Sequence, residues 1–181
     1  MNQKMMKPFS SNIIFMDTEF STLDPYKGEI LSVGLVKLNG EELYLELEYQ
    51  GEVNDYVKER IIPTLTAPKV SREEATKRIK EFIGSSMPYM VGYSNAYDVI
   101  YWYKLLFLGS LHPGDDPFYW LPIDFASMLF AFGINPEGHN WKHKDSFIQE
   151  IGIDYRKYKR HNALDDARLL REVYLKLTKQ S

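Results

Sequence analysis

Two acidic residues near the N-terminus of this 181-residue chain fall where a buried face is expected. Asp17 and Glu19 are two residues apart in a short apolar run, so they point to the same face of a predicted strand. Ile13 and Phe15 share that face, which would place both carboxylates at the end of an apolar stripe. A strand that runs out into solvent at this point is the alternative interpretation.

Two further carboxylates lie on the apolar stripes of predicted helices. Asp98 opens a helix whose stripe continues through Leu105, although an N-cap aspartate would explain the same position. Asp166 lies on the core-facing stripe of the last helix, whereas its neighbour Asp165 falls on the more solvated side. His161 precedes Asp166 by five residues, so both can address one site only if His161 lies at or before the helix start.

Four inward carboxylates need a partner. Two unit charges about 5 Å apart repel by roughly 3 kcal/mol at an effective dielectric near 20. Their convergence therefore predicts divalent cations with oxygen ligands, Mg²⁺ or Mn²⁺. The chain has no cysteine, which excludes disulfide scaffolds, thiol nucleophiles and cysteine-type zinc sites. His139 and His143 have helical metal-ligand spacing, but no third ligand accompanies them, and we interpret them as solvated or substrate-facing residues.

Composition predicts a single globular domain over residues 1–181, with 44% hydrophobic and 26% charged residues. The net charge of -3 argues against a protein that coats nucleic acid by bulk charge. A basic run containing Arg156, Lys159 and Arg160 nevertheless predicts a local phosphate contact, with a solvated loop as the alternative. Residues 141–144 are a weaker candidate for such a contact. We expect a cytoplasmic protein, because no apolar segment has the length of a membrane span and the N-terminus lacks an apolar signal core.

The elements that must position these residues begin with a three-strand meander. Asn39-Gly40 predicts the hairpin turn between the second and third strands, and a capping box at Ser71–Glu74 begins the first helix. The predicted strands are 12–20, 29–38, 41–49, 88–94 and 119–125. The predicted helices are 71–82, 98–108, 125–132, 142–151 and 163–178. This order predicts a mixed five-stranded sheet flanked by helices, which is the ribonuclease H-like α/β fold.

The acidic residues also stand in segments that resemble the motifs of the DEDD exonuclease superfamily, which includes ribonuclease T and the proofreading exonucleases. The first segment is Phe-Met-Asp17-Thr-Glu19-Phe, and the second is Gly92-Tyr-Ser-Asn-Ala-Tyr-Asp98. The third is His161-Asn-Ala-Leu-Asp-Asp166-Ala, with the His-x4-Asp spacing of the histidine subtype (DEDDh). The order and separation of the three segments extend the resemblance over nearly the whole chain.

A narrower resemblance is to the compact exoribonucleases called ribonuclease AS. It is carried by Asp-Thr-Glu-Phe, by Glu29-Ile-Leu-Ser-Val-Gly-Leu-Val, by Arg60-Ile-Ile-Pro-Thr-Leu and by the third segment. This resemblance implies RNA as the substrate, with a preference for adenylate 3′ ends, and a homodimer.

The superfamily resemblance implies two-metal hydrolysis that releases nucleoside 5′-monophosphates from the 3′ end of a single strand. Asp17 would bridge both ions, Glu19 and Asp166 would serve the ion that holds the attacking water, and Asp98 would assist the other ion. His161 would act as the general base on that water, since an ordinary histidine pKa lies near the working pH.

The same resemblance implies substrate contacts at Thr18, Phe20, Ser94 and Tyr97. Phe20 would stack on terminal bases, with a core phenylalanine as the alternative, and Thr18 would use its backbone. Many relatives read His-Asn-Ala-x-Phe-Asp in the second motif, and here Ser94 stands where that amide would be. The functional alternatives are a DNA 3′–5′ exonuclease, a nuclease for very short oligoribonucleotides, a non-catalytic nucleic-acid-binding domain and an unrelated metal-dependent phosphotransferase.

Overall fold

The computed structural model of the protein describes residues 6–108, 113–139 and 147–178, which form one mixed sheet with helices on both faces. The strands are β1 (Ile13–Phe20), β2 (Ile30–Lys37), β3 (Glu42–Leu47), β4 (Lys69–Val70), β5 (Tyr89–Gly92) and β6 (Ile123–Asp124). The helices are α1 (Asp55–Arg60), α2 (Arg72–Ile83), α3 (Ala96–Leu108), α4 (Phe125–Ala131), α5 (Phe147–Glu150) and α6 (Ala163–Thr178). Short 3₁₀ turns follow α1 and precede α6.

The first strand lies inside the sheet, whose strand order is β4-β3-β2-β1-β5-β6. β1 pairs antiparallel with β2 and parallel with β5, while β2 and β3 form the hairpin predicted at Asn39-Gly40. Gly40 has a φ of +94°, a backbone conformation that glycine adopts without steric cost. Ile14 and Phe15 of β1 are therefore flanked by strands on both sides, while Asp17 and Glu19 further along the strand pair with β2.

The side chains of β1 alternate between two hydrophobic cores. Phe15 packs against Tyr174 of α6, with ring centroids 5.1 Å apart. Met16 belongs to the opposite core, which contains Trp102 and Leu105 of α3. The alternation expected of a strand thus assigns Asp17 and Glu19, which share the parity of Phe15, to the face that α6 covers.

The predicted fold class is confirmed, although the sheet has six strands instead of five. The additional strand is β4, which pairs in parallel with Glu46 and Leu47 and is too short for a periodicity argument to detect. The predicted strand 119–125 is reduced to β6, because Pro122 directly before it cannot donate a ladder hydrogen bond. Of the predicted helix 142–151, α5 is observed, and residues 140–146 lie outside the described part.

The start of α3 and the presence of α1 also differ from the prediction. α3 begins at Ala96, so Asp98 is the third residue of the helix and not its cap. α1 was not predicted, although Asn54 caps it by accepting a hydrogen bond from the Val57 N–H at 2.9 Å. Within the described ranges, no helix combines the length and the apolar character needed to cross a membrane.

Candidate active site

β1 carries two of the carboxylates on the face of the sheet that α6 covers. Asp17 lies opposite Gly34 of β2, and Glu19 lies opposite Ser32. The register shifts between Glu19 and Phe20, so the regular ladder ends directly after the second acid. The Glu19 residue is only 8% exposed. The strand does not run out into solvent at this end, because Glu19 is covered.

The first turn of α6 supplies the third carboxylate, Asp166, and Gly34 allows this turn to approach. A Cβ atom on Gly34 would lie 2.4 Å from the backbone carbonyl carbon of Ala163, closer than packed atoms ever come. The absent side chain thus lets the start of α6 contact the backbone of β2 directly beside Asp17. Gly34 is a site-forming residue that the sequence pattern did not reveal.

The carboxylates of Asp17, Glu19 and Asp166 each offer an oxygen atom, and these three atoms lie within 4.8 Å of one another. Burial, followed by the charges of Asp98, Asp166 and Glu19, raises the pKa of Asp17 well above its ordinary value. Burial and the neighbouring carboxylates raise the pKa of Glu19 to about 8. Burial is also the main reason that the pKa of Asp166 rises to about 7. Without a cation, this cluster is an electrostatic cost to the fold.

Asp98 approaches the cluster from α3 and is held by β1. Its Oδ1 atom accepts a hydrogen bond from the Thr18 N–H at 2.9 Å and another from the Thr18 hydroxyl at 2.6 Å. Burial raises the pKa of Asp98 to about 6, and the two bonds from Thr18 oppose that rise. Its charge raises the pKa of Asp17 and of Glu19, which places the fourth predicted acid beside the other three.

His161 lies against the same cluster in a constrained backbone conformation. Its φ is +59°, in the left-handed region that favours glycine. Its N–H donates to Asp166 Oδ2 at 3.0 Å, and its carbonyl accepts from the Thr64 hydroxyl at 2.7 Å. These two bonds hold a conformation that is unfavourable on its own. His161 therefore lies just before the helix start, which is the condition under which His161 and Asp166 can address one site.

Both ring nitrogens of His161 have neighbours. Nδ1 lies 3.8 Å from Glu19 Oε1, and Nε2 lies 2.9 Å from the hydroxyl oxygen of Tyr56 on α1. Burial, and then the charges of Arg160 and Arg60, lower the pKa of His161 below its ordinary value. The imidazole is thus favoured in its neutral form, which can accept a proton.

The donor set fits hard divalent cations. Three carboxylate oxygens converge, and all belong to side chains whose pKa is raised by burial and mutual repulsion. Mg²⁺ and Mn²⁺ prefer such oxygen ligands, and a bound cation would relieve the repulsion between them. A bound cation would add positive charge to the cluster beyond that of Arg160, which already lowers the pKa of Glu19 and Asp166.

The predicted substrate residues have different environments. Thr18 is buried, and its N–H donates a hydrogen bond to Asp98. This backbone N–H is therefore already engaged, although a nucleotide contact through the Thr18 backbone was predicted. Phe20 stacks on Tyr101 with centroids 4.5 Å apart, and the 39%-exposed Tyr97 borders it at 5.8 Å. Ser94 is exposed, and its N–H donates to Asp124 Oδ1 at 2.8 Å.

The basic run before His161 is less available than its composition predicts. Arg156 forms an ion pair with Asp154 at 2.8 Å, and Lys157 forms one with Glu172 at 2.8 Å. Lys159 donates its backbone N–H to Asp165, a bond that leaves its exposed ammonium group unengaged. The charge of Arg160 acts on the acidic cluster, because it lowers the pKa of both Glu19 and Asp166.

The weaker candidate, residues 141–144, and with it His143, lies outside the described residues, as does the side chain of His139.

Two residues that contact His161 are not evident from the sequence pattern. Tyr56 lies on α1 and Thr64 on the 3₁₀ turn after it. Val57 and Ile61, four residues apart and both buried, give the helical spacing that could have identified α1, with Asn54 as its cap. The contact with His161 itself leaves no local signal, because Tyr56 and His161 are 105 residues apart.

Comparison with family models and with curated proteins yields no match. Among solved structures, E. coli exonuclease I in complex with a dA16 oligonucleotide is similar over 92% of this chain, with a TM-score of 0.65 and 18% identity. The zinc-bound E. coli enzyme with single-stranded DNA has a TM-score of 0.66 at 18% identity, again over 92% of this chain. Exonuclease I of Methylocaldum szegediense matches 93% of this chain, with a TM-score of 0.69 and 19% identity.

In all three comparisons the chain spans about two fifths of the other protein, 40% of its length. At 18–19% sequence identity, the similarity establishes a shared fold and does not establish that individual side chains have the same role. The chain therefore shares the fold of the exonuclease I structures, with its acidic cluster and His161 gathered at one end of β1.

Proposed function

We propose that the protein is a metal-dependent 3′–5′ exonuclease that hydrolyses single-stranded nucleic acid. The observation that carries this proposal is the convergence of Asp17, Glu19 and Asp166, with His161 bonded to Asp166 through its N–H and 3.8 Å from Glu19. The fold shared with exonuclease I supports the same assignment. A binding domain without catalytic activity would have no need for a buried cluster that destabilises the metal-free fold.

Two divalent cations, Mg²⁺ or Mn²⁺, would be held by Asp17, Glu19 and Asp166, with Asp98 at the second ion. When bound, such ions stabilise negative charge on the attacking and leaving oxygens of a phosphodiester. The Thr18 bonds leave Oδ2 of Asp98 for this role, because both bonds use Oδ1. The raised pKa values of Asp17, Glu19 and Asp166 indicate carboxylates that a bound cation would stabilise in their charged form.

His161 would act as the general base. Its lowered pKa keeps the ring neutral near pH 7, so a ring nitrogen can take a proton from the attacking water. The water oxygen then bonds to phosphorus, and the bond from phosphorus to the 3′ oxygen of the preceding nucleotide breaks. The terminal nucleotide leaves as a 5′-monophosphate, and the 3′ oxygen takes up a proton to become the new 3′ end.

The two candidate substrates, single-stranded RNA and single-stranded DNA, differ in their sugar. The resemblance of the motifs to ribonuclease AS favours RNA, with stacking of terminal bases on Phe20 and Tyr97. The solved complexes of E. coli exonuclease I with dA16 and dT13 oligonucleotides favour single-stranded DNA as the second candidate. The homodimer implied by the motif resemblance and a cytoplasmic location stay predictions.

The test is hydrolysis of matched RNA and DNA strands of one sequence, each labelled at the 5′ end, with Mn²⁺ or Mg²⁺. We expect stepwise shortening from the 3′ end and release of 5′-monophosphates, both abolished in Asp17→Asn. A circular single strand is the control, since an exonuclease cannot cleave it. Cleavage of the circle, or persistence of both linear strands, would contradict the proposal.

A further inference from the structure

α1 forms a wall of the candidate site that none of the three motif segments contains. Its inner side is fixed by Val57 and by Ile61 just beyond its end, which are buried against Leu31 of β2. The side chain of Asn54 caps its N-terminus, and the Asn54 N–H donates to the Ser21 carbonyl at 3.2 Å. α1 is therefore held rigidly beside the end of β1, where the acidic cluster lies.

One face of α1 points to His161. Tyr56 reaches His161 Nε2 at 2.9 Å, and Arg60 follows Tyr56 by four residues, so the two side chains are neighbours on the helix surface. The charge of Arg60 also acts on His161, which places its guanidinium within electrostatic range of the imidazole. Arg160 exerts the same effect from the other chain segment. Two guanidinium groups are thus within electrostatic range of the imidazole.

Arg60 differs from several other cations of this region in having no counter-ion among the described residues. In the described part of the chain, no carboxylate lies within ion-pair distance of its guanidinium, and its side chain makes no hydrogen bond. Lys58 on the same helix pairs with Asp55, and Arg156 pairs with Asp154. Arg60 therefore offers an unpaired guanidinium on the face of α1 that carries Tyr56, and it was not among the predicted phosphate contacts.

We propose that Arg60, on the face of α1 that carries Tyr56, binds the phosphate backbone of the substrate strand beside the scissile bond. Arginine suits this role because its planar guanidinium donates two parallel hydrogen bonds to one phosphate group. A cation on this face also offsets the repulsion between a polyanionic strand and the acidic cluster. The proposal rests on the proposed exonuclease function and assigns the strand a phosphate contact other than those that the sequence pattern predicts at Arg156, Lys159 and Arg160.

The first measurement is binding without cleavage. Fluorescein-labelled single strands of RNA and DNA are titrated with the Asp17→Asn protein over a range of KCl concentrations. Adding Arg60→Ala should raise Kd about tenfold and reduce the steepness of the salt dependence by about 0.7, the loss of one phosphate contact on a single strand. Arg60→Lys should restore most of the salt dependence because it keeps the charge. Lys58→Ala is the matched control and should leave both quantities unchanged.

The second measurement uses the unaltered active site. Arg60→Ala in the otherwise native chain should raise KM about tenfold and leave kcat nearly unchanged. An unchanged Kd, salt dependence and KM in Arg60→Ala would overturn the phosphate contact while leaving the exonuclease proposal intact. A fall in kcat at constant KM would overturn it as well, since Arg60 would then act through His161. Failure of the native chain to cleave any strand would reject the exonuclease function itself.

Discussion

Asp165 and Asp166 are adjacent in sequence but have different surroundings. Asp165 pairs with Arg168 at 2.7 Å and accepts a hydrogen bond from the Lys159 N–H. Asp166 faces the cluster and accepts the His161 N–H. The two residues therefore allow a direct comparison. The carboxylate of Asp165 is neutralised by an ion pair, whereas that of Asp166 belongs to the cluster that would bind a cation.

This difference predicts opposite behaviour for two amide substitutions. Asp166→Asn should reduce hydrolysis by more than about a hundredfold, since changing even a supporting residue of a metal site costs about 10- to 100-fold. It should also remove the rise in Tm that Mn²⁺ produces in the native chain. Asp165→Asn should keep that rise and retain most activity. Equal losses in the two variants would show that the assignment of Asp166 over Asp165 is wrong.

The hydroxyl of Tyr56 orients the ring of His161 through its bond to Nε2. A hydrogen bond of this kind contributes about 1 kcal/mol, which corresponds to roughly fivefold in rate. Tyr56→Phe should therefore lower kcat about three- to tenfold with little change in KM, measured by steady-state hydrolysis of a short strand. Tyr49→Phe, at a tyrosine outside the site, serves as the control. An increase in kcat would mean that the hydroxyl obstructs His161.

At the scale of the elements, the site depends on how closely α6 approaches β2. Gly34→Ala would place a methyl group against the backbone of Ala163, which cannot yield as a flexible side chain would. We expect a loss of about 1–3 kcal/mol in the free energy of unfolding and a clear fall in kcat, because Asp166 and His161 move with the start of α6. Gly114→Ala, which meets no atom within 4 Å, is the matched control. Chemical denaturation and hydrolysis assays measure the two effects.

The elements that could be predicted from the sequence are those with a repeating pattern. Alternation along β1 is enough to assign Asp17 and Glu19 to one face of the strand, and the helical stripe of α6 is enough to assign Asp166 to its inward face. The contacts that complete the site arise from residues distant in sequence, such as Tyr56 with His161. Periodicity describes one element at a time, so it cannot reveal such pairs. The close approach of α6 to β2 is invisible to it for the same reason.

For the whole molecule, the net charge of -3 conceals an uneven distribution. Several acids are buried together at the end of β1, while Arg60 and Arg160 lie close enough to influence His161. Burial of carboxylates with raised pKa values means that folding and proton binding are linked. The free energy of unfolding of the whole metal-free protein should therefore depend on pH, even though the responsible groups occupy one small region.

The direction of this response follows from the folded and unfolded pKa values. Glu19 changes from 4.5 when unfolded to about 8 when folded, and Asp166 from 3.8 to about 7. At pH values between the unfolded and the folded pKa values, the folded chain binds more protons than the unfolded chain. Unfolding therefore releases protons and is favoured by rising pH. The stability contribution of the protonated cluster is fully present below about pH 4 and is lost as pH rises through 7 and 8. A divalent cation replaces the protons, so its stabilising effect should grow over the same range.

We therefore predict that Tm in EDTA falls by several degrees between pH 6 and pH 8, since about 1 kcal/mol corresponds to roughly 2–4 °C in a chain of this size. Saturating Mn²⁺ should raise Tm more at pH 8 than at pH 6. Asp17→Asn should flatten the pH dependence in EDTA and raise Tm at pH 8, because it removes one of the repelling charges while abolishing hydrolysis. Asp115→Asn, at an exposed acid outside the cluster, should leave the pH dependence as it is. A Tm in EDTA that rises from pH 6 to pH 8 would mean that the carboxylates do not repel one another in the folded protein, and the argument for a cation would lose its physical basis.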